Sequence, residues 1–189
     1  MPRGGRRILF AGGGTGGHVF PGIALAQAHS GPTFWLCTTR PFDAPQLTRA
    51  GIDFEALESP RWRGFRGFLG PMSRAILAAA RRIRVFRPDV VVGVGGYGTV
   101  PPVIAATTQG VPYVLLEQNA SPGRANRFLA AGAARIYAQW EAARPRFPGS
   151  GAKVLVTGSP LRAQLKRLPR AEALRRFGLE DDLPVLAVV

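Results

Sequence analysis

The stretch GGGTGGHVFP, Gly12–Pro21, directly follows the apolar run Ile8–Ala11 and is the strongest indication of fold in the sequence. A short apolar run, a glycine-rich turn and a proline that is tolerated at the first helical position predict a strand, a loop and a helix over about Pro21–His29. Successive glycines let backbone N–H groups approach an anion closely, and the start of the helix adds unpaired donors and partial positive charge. The stretch therefore predicts a site for a phosphate or a diphosphate.

Two side chains that can take part in catalysis or binding, Thr15 and His18, lie inside this loop. His18 is one of only two histidines in the chain. An imidazole at this place can reach a ligand that the glycines hold. It can equally serve as a polar residue that satisfies the start of the helix, and the residues alone leave both interpretations open.

The same loop matches the dinucleotide-binding pattern G-x-G-x-x-G through Gly12, Gly14 and Gly17. An NAD site needs an acidic residue at the end of the second strand, where this sequence has Thr38-Thr39-Arg40. NAD is therefore disfavoured, and an NADP-dependent reductase, with Arg40 on the 2′-phosphate, is the dinucleotide alternative.

A second segment repeats the order of strand, glycine loop, proline and helix. The β-branched run Asp89–Val94 leads into GVGGYG, Gly93–Gly98, and then into TVPP and an apolar helix that ends near Gln109. Two such loops lie at the carboxyl ends of parallel strands, where open α/β sheets bind their ligands. We expect Gly95, Gly96 and Tyr97 to lie beside the first loop on one rim of the sheet.

A further strand, Val111–Leu116, delivers Glu117-Gln118-Asn119 to the same rim. A carboxylate and two amides at this point can hold sugar hydroxyls or can form an ordinary polar strand end. The helix that begins near Pro122 brings Arg124 and Arg127 towards this rim.

The rest of the chain continues the alternation of strands and helices, which predicts parallel pairing and a doubly wound α/β sheet of the Rossmann type. The other predicted elements are strands at Thr33–Thr38, Ile52–Leu57, Arg135–Ala138, Lys153–Thr157 and Pro184–Val189, and helices at Ala44–Ala50 and Pro169–Phe177.

Composition limits the class of partner. The 189 residues carry a net charge of +14, which favours an anionic partner such as nucleic acid, anionic lipid or a phosphorylated substrate.

The single cysteine, Cys37, lies in an apolar run. We expect it to be a small buried residue, in a protein of a reducing compartment. The uncharged stretch from Val90 to Leu116 is interrupted by glycines and prolines, so we expect a buried strand, loop and helix rather than a membrane span.

One segment, Arg61–Arg87, contains eight arginines and no acidic residue, with aromatic and aliphatic residues between them. We expect a loop up to Pro71 and then a helix closed by Pro88. Arginines beside apolar side chains suit the headgroup region of an anionic bilayer. The alternatives are a core helix with a solvated basic face and, ranked third, a nucleic-acid platform.

Four motifs in order, GGGTGGHVFPGIALA, VVVGVGGYGTVPPVIAA, LLEQNASPGRANRFLA and VTGSPLR, resemble the bacterial N-acetylglucosaminyltransferases of peptidoglycan synthesis, the MurG family of glycosyltransferase family 28. The resemblance covers about Arg7–Arg162. It implies the N-terminal domain of a GT-B fold, in which two Rossmann-like domains face each other across a cleft. The second loop, GGYGTVPP, and Ser159 in the last motif differ from the more usual residues of the family.

The resemblance implies transfer of N-acetylglucosamine from UDP-N-acetylglucosamine to the C4 hydroxyl of undecaprenyl-diphospho-N-acetylmuramoyl-pentapeptide (lipid I to lipid II), with inversion and without metal or cofactor. Its site residues, carried onto this sequence, are His18 as the general base and a set of substrate-binding residues. That set is Thr15, Gly16, Gly17, Gly95, Gly96, Tyr97, Glu117, Asn119 and Arg162.

The resemblance also implies a peripheral protein on the cytoplasmic face of the membrane, which meets the anionic surface through Arg61–Arg87, with no nucleic-acid partner. It divides the chain into an acceptor-side and membrane-side domain, residues 1–162, and a linker with the first strand of a truncated donor-binding domain, residues 163–189. We therefore expect little or no transferase activity from this polypeptide alone. The alternatives from the residues are the NADP-dependent reductase and a non-catalytic basic module that binds membrane or nucleic acid.

Overall fold

The computed structural model describes residues 5–58, 65–162, 165, 167–180 and 184–186. They form one seven-stranded, entirely parallel sheet with helices on both faces. Its strands are β1 (Ile8–Gly12), β2 (Thr33–Thr38), β3 (Phe54–Leu57), β4 (Val90–Gly95), β5 (Tyr113–Glu117), β6 (Arg135–Ala138) and β7 (Val154–Val156). Its α-helices are α1 (Gly16–Ala28), α2 (Asp43–Arg49), α3 (Phe65–Phe86), α4 (Val100–Thr108), α5 (Arg124–Leu129) and α6 (Arg170–Phe177).

The strand order is β3-β2-β1-β4-β5-β6-β7, so the chain winds outward from β1 in one direction and from β4 in the other. The predicted doubly wound α/β fold is therefore confirmed. In such a sheet the loops after the two central strands separate and leave a crevice at their carboxyl ends. That point lies between β1 and β4, the two strands that carry the glycine loops.

Alternation along the strands divides the core into two layers. Leu9 and Val91 pack with residues of α3, α4 and α5 on one face, whereas Phe10 and Val92 pack with residues of α1 and α2 on the other. Phe10 stacks on the buried ring of Trp35, with 5.1 Å between the ring centroids. Both faces of β1 and β4 are thus buried, which explains why their sequences are continuous apolar runs.

Two helices begin earlier than predicted. Helix α1 begins at Gly16, so Pro21 is its sixth residue and removes one main-chain hydrogen bond from the helix interior. Helix α3 begins at Phe65 and contains Pro71, so the prediction of a loop up to Pro71 was wrong for its second half. Residues 61–64 of that predicted loop lie outside the described part of the chain.

Burial at helical spacing explains the length of α3. Ala75, Ala79 and Ile83 are all buried, four residues apart, so one continuous helical face packs on the sheet layer. The helix ends at Phe86, and Arg87 after it has a positive φ of 50° before Pro88.

The predicted C-terminal strand, Pro184–Val189, is not confirmed in its described part. Residues 184–186 are described and are not in a strand, and 187–189 lie outside the described residues. A strand needs a neighbour for its hydrogen bonds, and within the described chain β7 is the last strand of the sheet. Cys37 is buried as expected, and burial together with the charge of Asp43 raises the pKa of its thiol to about 12.

The uncharged stretch from Val90 to Leu116 forms β4, α4 and most of β5, as predicted. Among the described residues, no helix combines the length and the apolar character needed to cross a membrane.

Candidate functional site

The first glycine loop turns sharply at the end of β1. Gly12 and Gly13 have φ angles of 112° and 142°, a backbone region that residues with a Cβ rarely adopt. A Cβ at Gly13 would also contact the carboxylate of Asp43. Thr15 then takes an extended conformation as the residue before α1, so the free N–H groups of the first helical turn begin at Gly16.

The two glycine loops touch each other directly. The backbone N–H of Gly13 donates to the carbonyl oxygen of Gly95 over 3.2 Å. The buried hydroxyl of Thr99 accepts from the N–H of Gly95 at 3.1 Å and lies 3.0 Å from the oxygen of Ala11 and 2.8 Å from that of Gly95. The prediction that both loops lie side by side on one rim is confirmed.

Asp43, which is not among the predicted site residues, organises the first loop. Its fully buried carboxylate accepts from the N–H of Gly14 at 2.8 Å through one oxygen. The other oxygen accepts from the N–H of Thr38 at 3.0 Å and from its hydroxyl at 2.6 Å. A signal existed, because Asp43 is the only acidic residue among the first 52.

Arg40, the residue of the NADP alternative, lies against the first loop. Its guanidinium donates to the carbonyl oxygen of Gly14 over 3.2 Å, and its side chain passes over that glycine. The residue therefore covers the outside of the glycine turn.

His18 lies between the loops. Its Nδ1 is 2.9 Å from the hydroxyl of Thr15, and its ring packs so closely on Gly95 that any Cβ at that position would overlap it. Burial lowers the pKa of His18, opposed by the negative charges of Glu117 and Asp43 and assisted by the positive charge of Arg40. The net effect favours the neutral imidazole, which is the form that accepts a proton.

Two cavities open at this rim: Gly16 and Gly17 line the first, and His18 lines the second. The first, of about 430 Å³, is a cleft that contains four predicted site residues, Gly16, Gly17, Asn119 and Arg162. The second, of about 210 Å³, contains six, His18, Gly95, Gly96, Tyr97, Glu117 and Asn119. Asn119 lines both cavities, and Thr15, which lines neither, contacts His18. The structure therefore brings all ten predicted site residues to one rim of the sheet.

Glu117 is buried and holds the loop after β5. One of its oxygens accepts from the backbone and side-chain N–H groups of Asn119 at 2.9 and 3.0 Å. The other accepts from the N–H of Gly123 at 3.1 Å and from the amide of Asn126 at 3.0 Å. With four donors already bound, this carboxylate supports the wall of the second cavity, and its role as a direct ligand of sugar stays a prediction.

Each cavity also has a buried side-chain oxygen without a partner among the described residues. These are Oε1 of Gln118 in the first cavity and Oδ1 of Asn126 in the second. Buried polar atoms are rarely left unpaired except where water or a ligand satisfies them. Both oxygens belong to residues that line a cavity, and both are themselves shielded from solvent.

The remaining predicted residues complete the walls. The guanidinium of Arg162 stacks on the ring of Phe20, with 4.1 Å to its centroid, in the first cavity. Tyr97 is 61% exposed and lines the second. Among the described residues, no group of three or more histidine, cysteine, aspartate or glutamate side chains is arranged to hold a metal ion.

The described part of the basic segment forms helix α3, which lines neither of these cavities. Its arginines are not all free, because Arg82 pairs with Glu55 and stacks on Phe34 at 4.7 Å. On its exposed side, Leu77 is 57% and Val85 is 73% solvent-accessible. The helix thus has one face in the core and another on which exposed apolar and basic residues are mixed.

Comparison with known proteins identifies the family. Residues 8–138, more than half of the chain, match the model of the glycosyltransferase family 28 N-terminal domain. The chain belongs to glycosyltransferase family 28. Its seven-stranded parallel sheet is accordingly the Rossmann-like N-terminal domain of a GT-B glycosyltransferase.

Two named relatives are similar in sequence to this family 28 chain over most of its length. A protein of Prosthecochloris aestuarii named UDP-N-acetylglucosamine--N-acetylmuramyl-(pentapeptide) pyrophosphoryl-undecaprenol N-acetylglucosamine transferase is 39% identical over 198 residues, 96% of this chain and 53% of its own length. A protein of the same name from Moorella thermoacetica is 36% identical over 97% of this chain and 52% of its own length. The chain spans about half the length of the curated relatives it matches.

Solved structures agree on the fold of this family 28 chain. The crystal structure of Acinetobacter baumannii MurG matches with a TM-score of 0.70 at 28% identity, over 89% of this chain and 52% of that one. Anabaena HepE in complex with UDP and glucose matches with a TM-score of 0.66 at 14% identity, over 92% of this chain and 50% of that one, which shows the fold alone.

Proposed function

We propose that this chain is the acceptor-side half of a glycosyltransferase of peptidoglycan synthesis. The reaction transfers N-acetylglucosamine from UDP-N-acetylglucosamine to the C4 hydroxyl of undecaprenyl-diphospho-N-acetylmuramoyl-pentapeptide. The observation that carries the proposal is the position of His18, which lies between two adjoining glycine loops and lines the second cavity. The names of the relatives supply the substrates.

His18 is the general base of this reaction. The role requires the tautomer in which Nδ1–H donates to the Thr15 hydroxyl, 2.9 Å away, and Nε2 carries the lone pair that takes the proton of the C4 hydroxyl. The hydroxyl oxygen then forms a bond to C1 of N-acetylglucosamine while the bond from C1 to the UDP oxygen breaks. The configuration at C1 inverts, the electron pair leaves with UDP, and the proton stays on His18.

The two cavities divide the substrates. The smaller cavity, which His18, Gly95, Gly96 and Tyr97 line, takes the acceptor sugar and its diphosphate. The larger cleft, lined by Gly16, Gly17 and Arg162, takes the donor side. Backbone N–H groups at the start of α1 and the guanidinium of Arg162 then stabilise the charge that develops on UDP, without metal or cofactor.

Transfer is tested in a chimera in which residues 1–162 are joined to the C-terminal half of the Prosthecochloris aestuarii relative. That half supplies the length that this chain does not span, and the junction tests the proposed division after Arg162. We expect turnover of UDP-N-acetylglucosamine only when a short-chain lipid-linked muramoyl-pentapeptide acceptor is present. Release of UDP at the same rate without the acceptor would contradict the proposal.

The base is tested by substitution in the same chimera. His18→Asn is expected to lower kcat by about 10² to 10⁴, the range that general base catalysis contributes. His29→Asn is the matched control, because His29 is half-buried, lines neither cavity, and has its Nε2 against the carbonyl oxygen of Arg6. Equal losses in the two variants would remove His18 from this role.

The exposed side of α3 is proposed to meet the cytoplasmic face of an anionic membrane, with the protein bound peripherally. Leu77 and Val85 supply exposed apolar surface, and the neighbouring exposed Arg81 and Arg84 supply positive charge. Each such cation adds about 1 kcal/mol near an anionic surface.

Vesicle flotation tests this surface. We expect the chain to float with phosphatidylcholine vesicles that contain phosphatidylglycerol and to float less with phosphatidylcholine alone. Leu77→Glu is expected to reduce flotation at least threefold, whereas Leu179→Glu, at another exposed leucine, is not. Equal effects of the two substitutions would assign the binding to net charge alone.

A further inference from the structure

Among the residues that line the second cavity, Arg124 is the only arginine or lysine. It is exposed, and within the described part of the chain it has no hydrogen bond or ion pair through its side chain. The one carboxylate of this wall, Glu117, already accepts from four donors. The cavity therefore presents an unpaired guanidinium and no free negative charge.

We propose that Arg124 binds the diphosphate of the acceptor in the second cavity, an inference that rests on the proposed function. A guanidinium offers two parallel N–H donors to a phosphate, which gives both charge and orientation. Gly95 and Gly96 line the same cavity as Arg124, so their backbone borders the space that the diphosphate would occupy. Arg124 thus holds the acceptor so that its sugar hydroxyl reaches His18.

The backbone at Arg124 is fixed from both sides, which a binding residue needs. The preceding residue, Gly123, donates its N–H to Glu117 at 3.1 Å. Two residues later, the amide of Asn126 donates to the carbonyl oxygen of Leu116 at 2.8 Å and to Glu117 at 3.0 Å. Glu117 therefore ties the start of α5 to the end of β5, and the cation stands on an ordered segment.

The other lining residues add no positive charge. The histidine of this cavity, His18, is held neutral by burial, so the anion receives no second cation there at neutral pH. A diphosphate carries at least two negative charges, and a single guanidinium that contacts it makes a large contribution to binding. Loss of Arg124 is therefore expected to weaken diphosphate ligands specifically.

Arg127 provides the matched control. It lies on the same short helix, is also exposed, and does not line the cavity. Arg124→Gln and Arg127→Gln remove the same charge from the same helix, so non-specific electrostatic effects cancel in the comparison. Neither side chain has a partner in the described residues, so neither substitution removes a contact that holds the fold.

The experiment measures binding to the chain as it stands by calorimetry at fixed ionic strength. The ligands are a short-chain lipid-linked muramoyl-pentapeptide diphosphate, muramoyl-pentapeptide without the diphosphate, and inorganic pyrophosphate. Arg124→Gln is expected to weaken the first and third ligands about tenfold and the second less than twofold, whereas Arg127→Gln changes each less than twofold. Arg124→Lys, which keeps the charge but loses the planar donor pair, is expected to recover part of the loss.

The outcomes separate the two proposals. Equal effects of Arg124→Gln and Arg127→Gln, equal loss for the ligand that lacks the diphosphate, or no binding of any ligand would overturn the role of Arg124. Binding of pyrophosphate but not of the muramoyl ligand would contradict the proposed acceptor. In that case the ratio of the dissociation constants of Arg124→Gln and Arg127→Gln for pyrophosphate still decides whether Arg124 binds a diphosphate.

Discussion

The carboxylate of Asp43 accepts a 2.8 Å hydrogen bond from the backbone N–H of Gly14, which ties the start of α2 to the glycine loop after β1. The same carboxylate also accepts two hydrogen bonds from Thr38 at the end of β2. One buried side chain therefore sets the shape of the loop that carries Thr15 and His18.

Asp43→Asn is expected to lower the free energy of unfolding by about 3 kcal/mol. An asparagine amide presents one acceptor oxygen and one NH2 group, so it cannot accept from Gly14 and Thr38 through both ends, and a buried donor loses its partner. Urea denaturation followed by circular dichroism measures the change. Asp53→Asn, at an exposed aspartate, is the control and is expected to stay within about 0.5 kcal/mol of the parent.

The pKa of His18 is expected to lie below about 6.5, the value of an unperturbed imidazole, because burial disfavours the charged ring. The chain has two histidines, so an NMR titration followed at the imidazole Hε1 protons gives two signals, and His29→Gln assigns them. A His18 signal that titrates above 6.5 would show that the charges of Glu117 and Asp43 outweigh burial.

This lowered pKa also predicts how stability depends on pH. Between the folded pKa of His18 and about 6.5, the unfolded chain binds more protons than the folded one, so the free energy of unfolding falls as the pH falls through this window. His18→Asn is expected to flatten this part of the stability profile. An unchanged slope in that variant would assign the pH dependence to other groups.

Gly95→Ala is expected to destabilise the fold by about 1 to 3 kcal/mol and to displace His18. Gly95 has a φ of 106°, and an added Cβ would lie 2.6 Å from Cδ2 of His18 and 2.9 Å from its Nε2. Denaturation gives the stability, and the imidazole signal of His18 reports the displacement. A variant with the stability and imidazole shift of the parent would contradict the close packing of ring on loop.

Much of this site follows from local sequence signals. Each glycine loop directly follows an apolar run, and parallel strands bring their carboxyl ends to one rim, so the adjacency of Gly13 and Gly95 was predictable without coordinates. The same logic placed Asn119 and Arg124 near that rim.

The contacts that hold the site were not predictable in the same way. Asp43 reaches Gly14 across 29 positions of the sequence, and its burial depends on how β2 aligns with β1. In the sequence, a glutamate at the end of a strand looks the same whether it binds a ligand or accepts hydrogen bonds from the loop behind it. The four donors to Glu117 are seen only in the three-dimensional structure. The early start of α3 was missed because glycine and Pro71 indicate a loop locally, whereas burial of Ala75, Ala79 and Ile83 favours one helix.

Gly17→Ala separates the fold from the function of the first cavity. Gly17 is in the first turn of α1, has no positive φ, and an added Cβ would meet nothing within 4 Å. Alanine is favoured over glycine in a helix by up to about 1 kcal/mol, so the free energy of unfolding is expected to stay equal or to rise. The same methyl group would project into the cleft that we assign to the donor, so kcat/KM for UDP-N-acetylglucosamine in the chimera is expected to fall at least tenfold.

Gly70→Ala is the control, because Gly70 is also helical, has only a side-chain atom of Arg74 at 3.8 Å from an added Cβ, and lines neither cavity. A Gly17→Ala chimera that is as active as the Gly70→Ala chimera would show that the donor does not approach the start of α1.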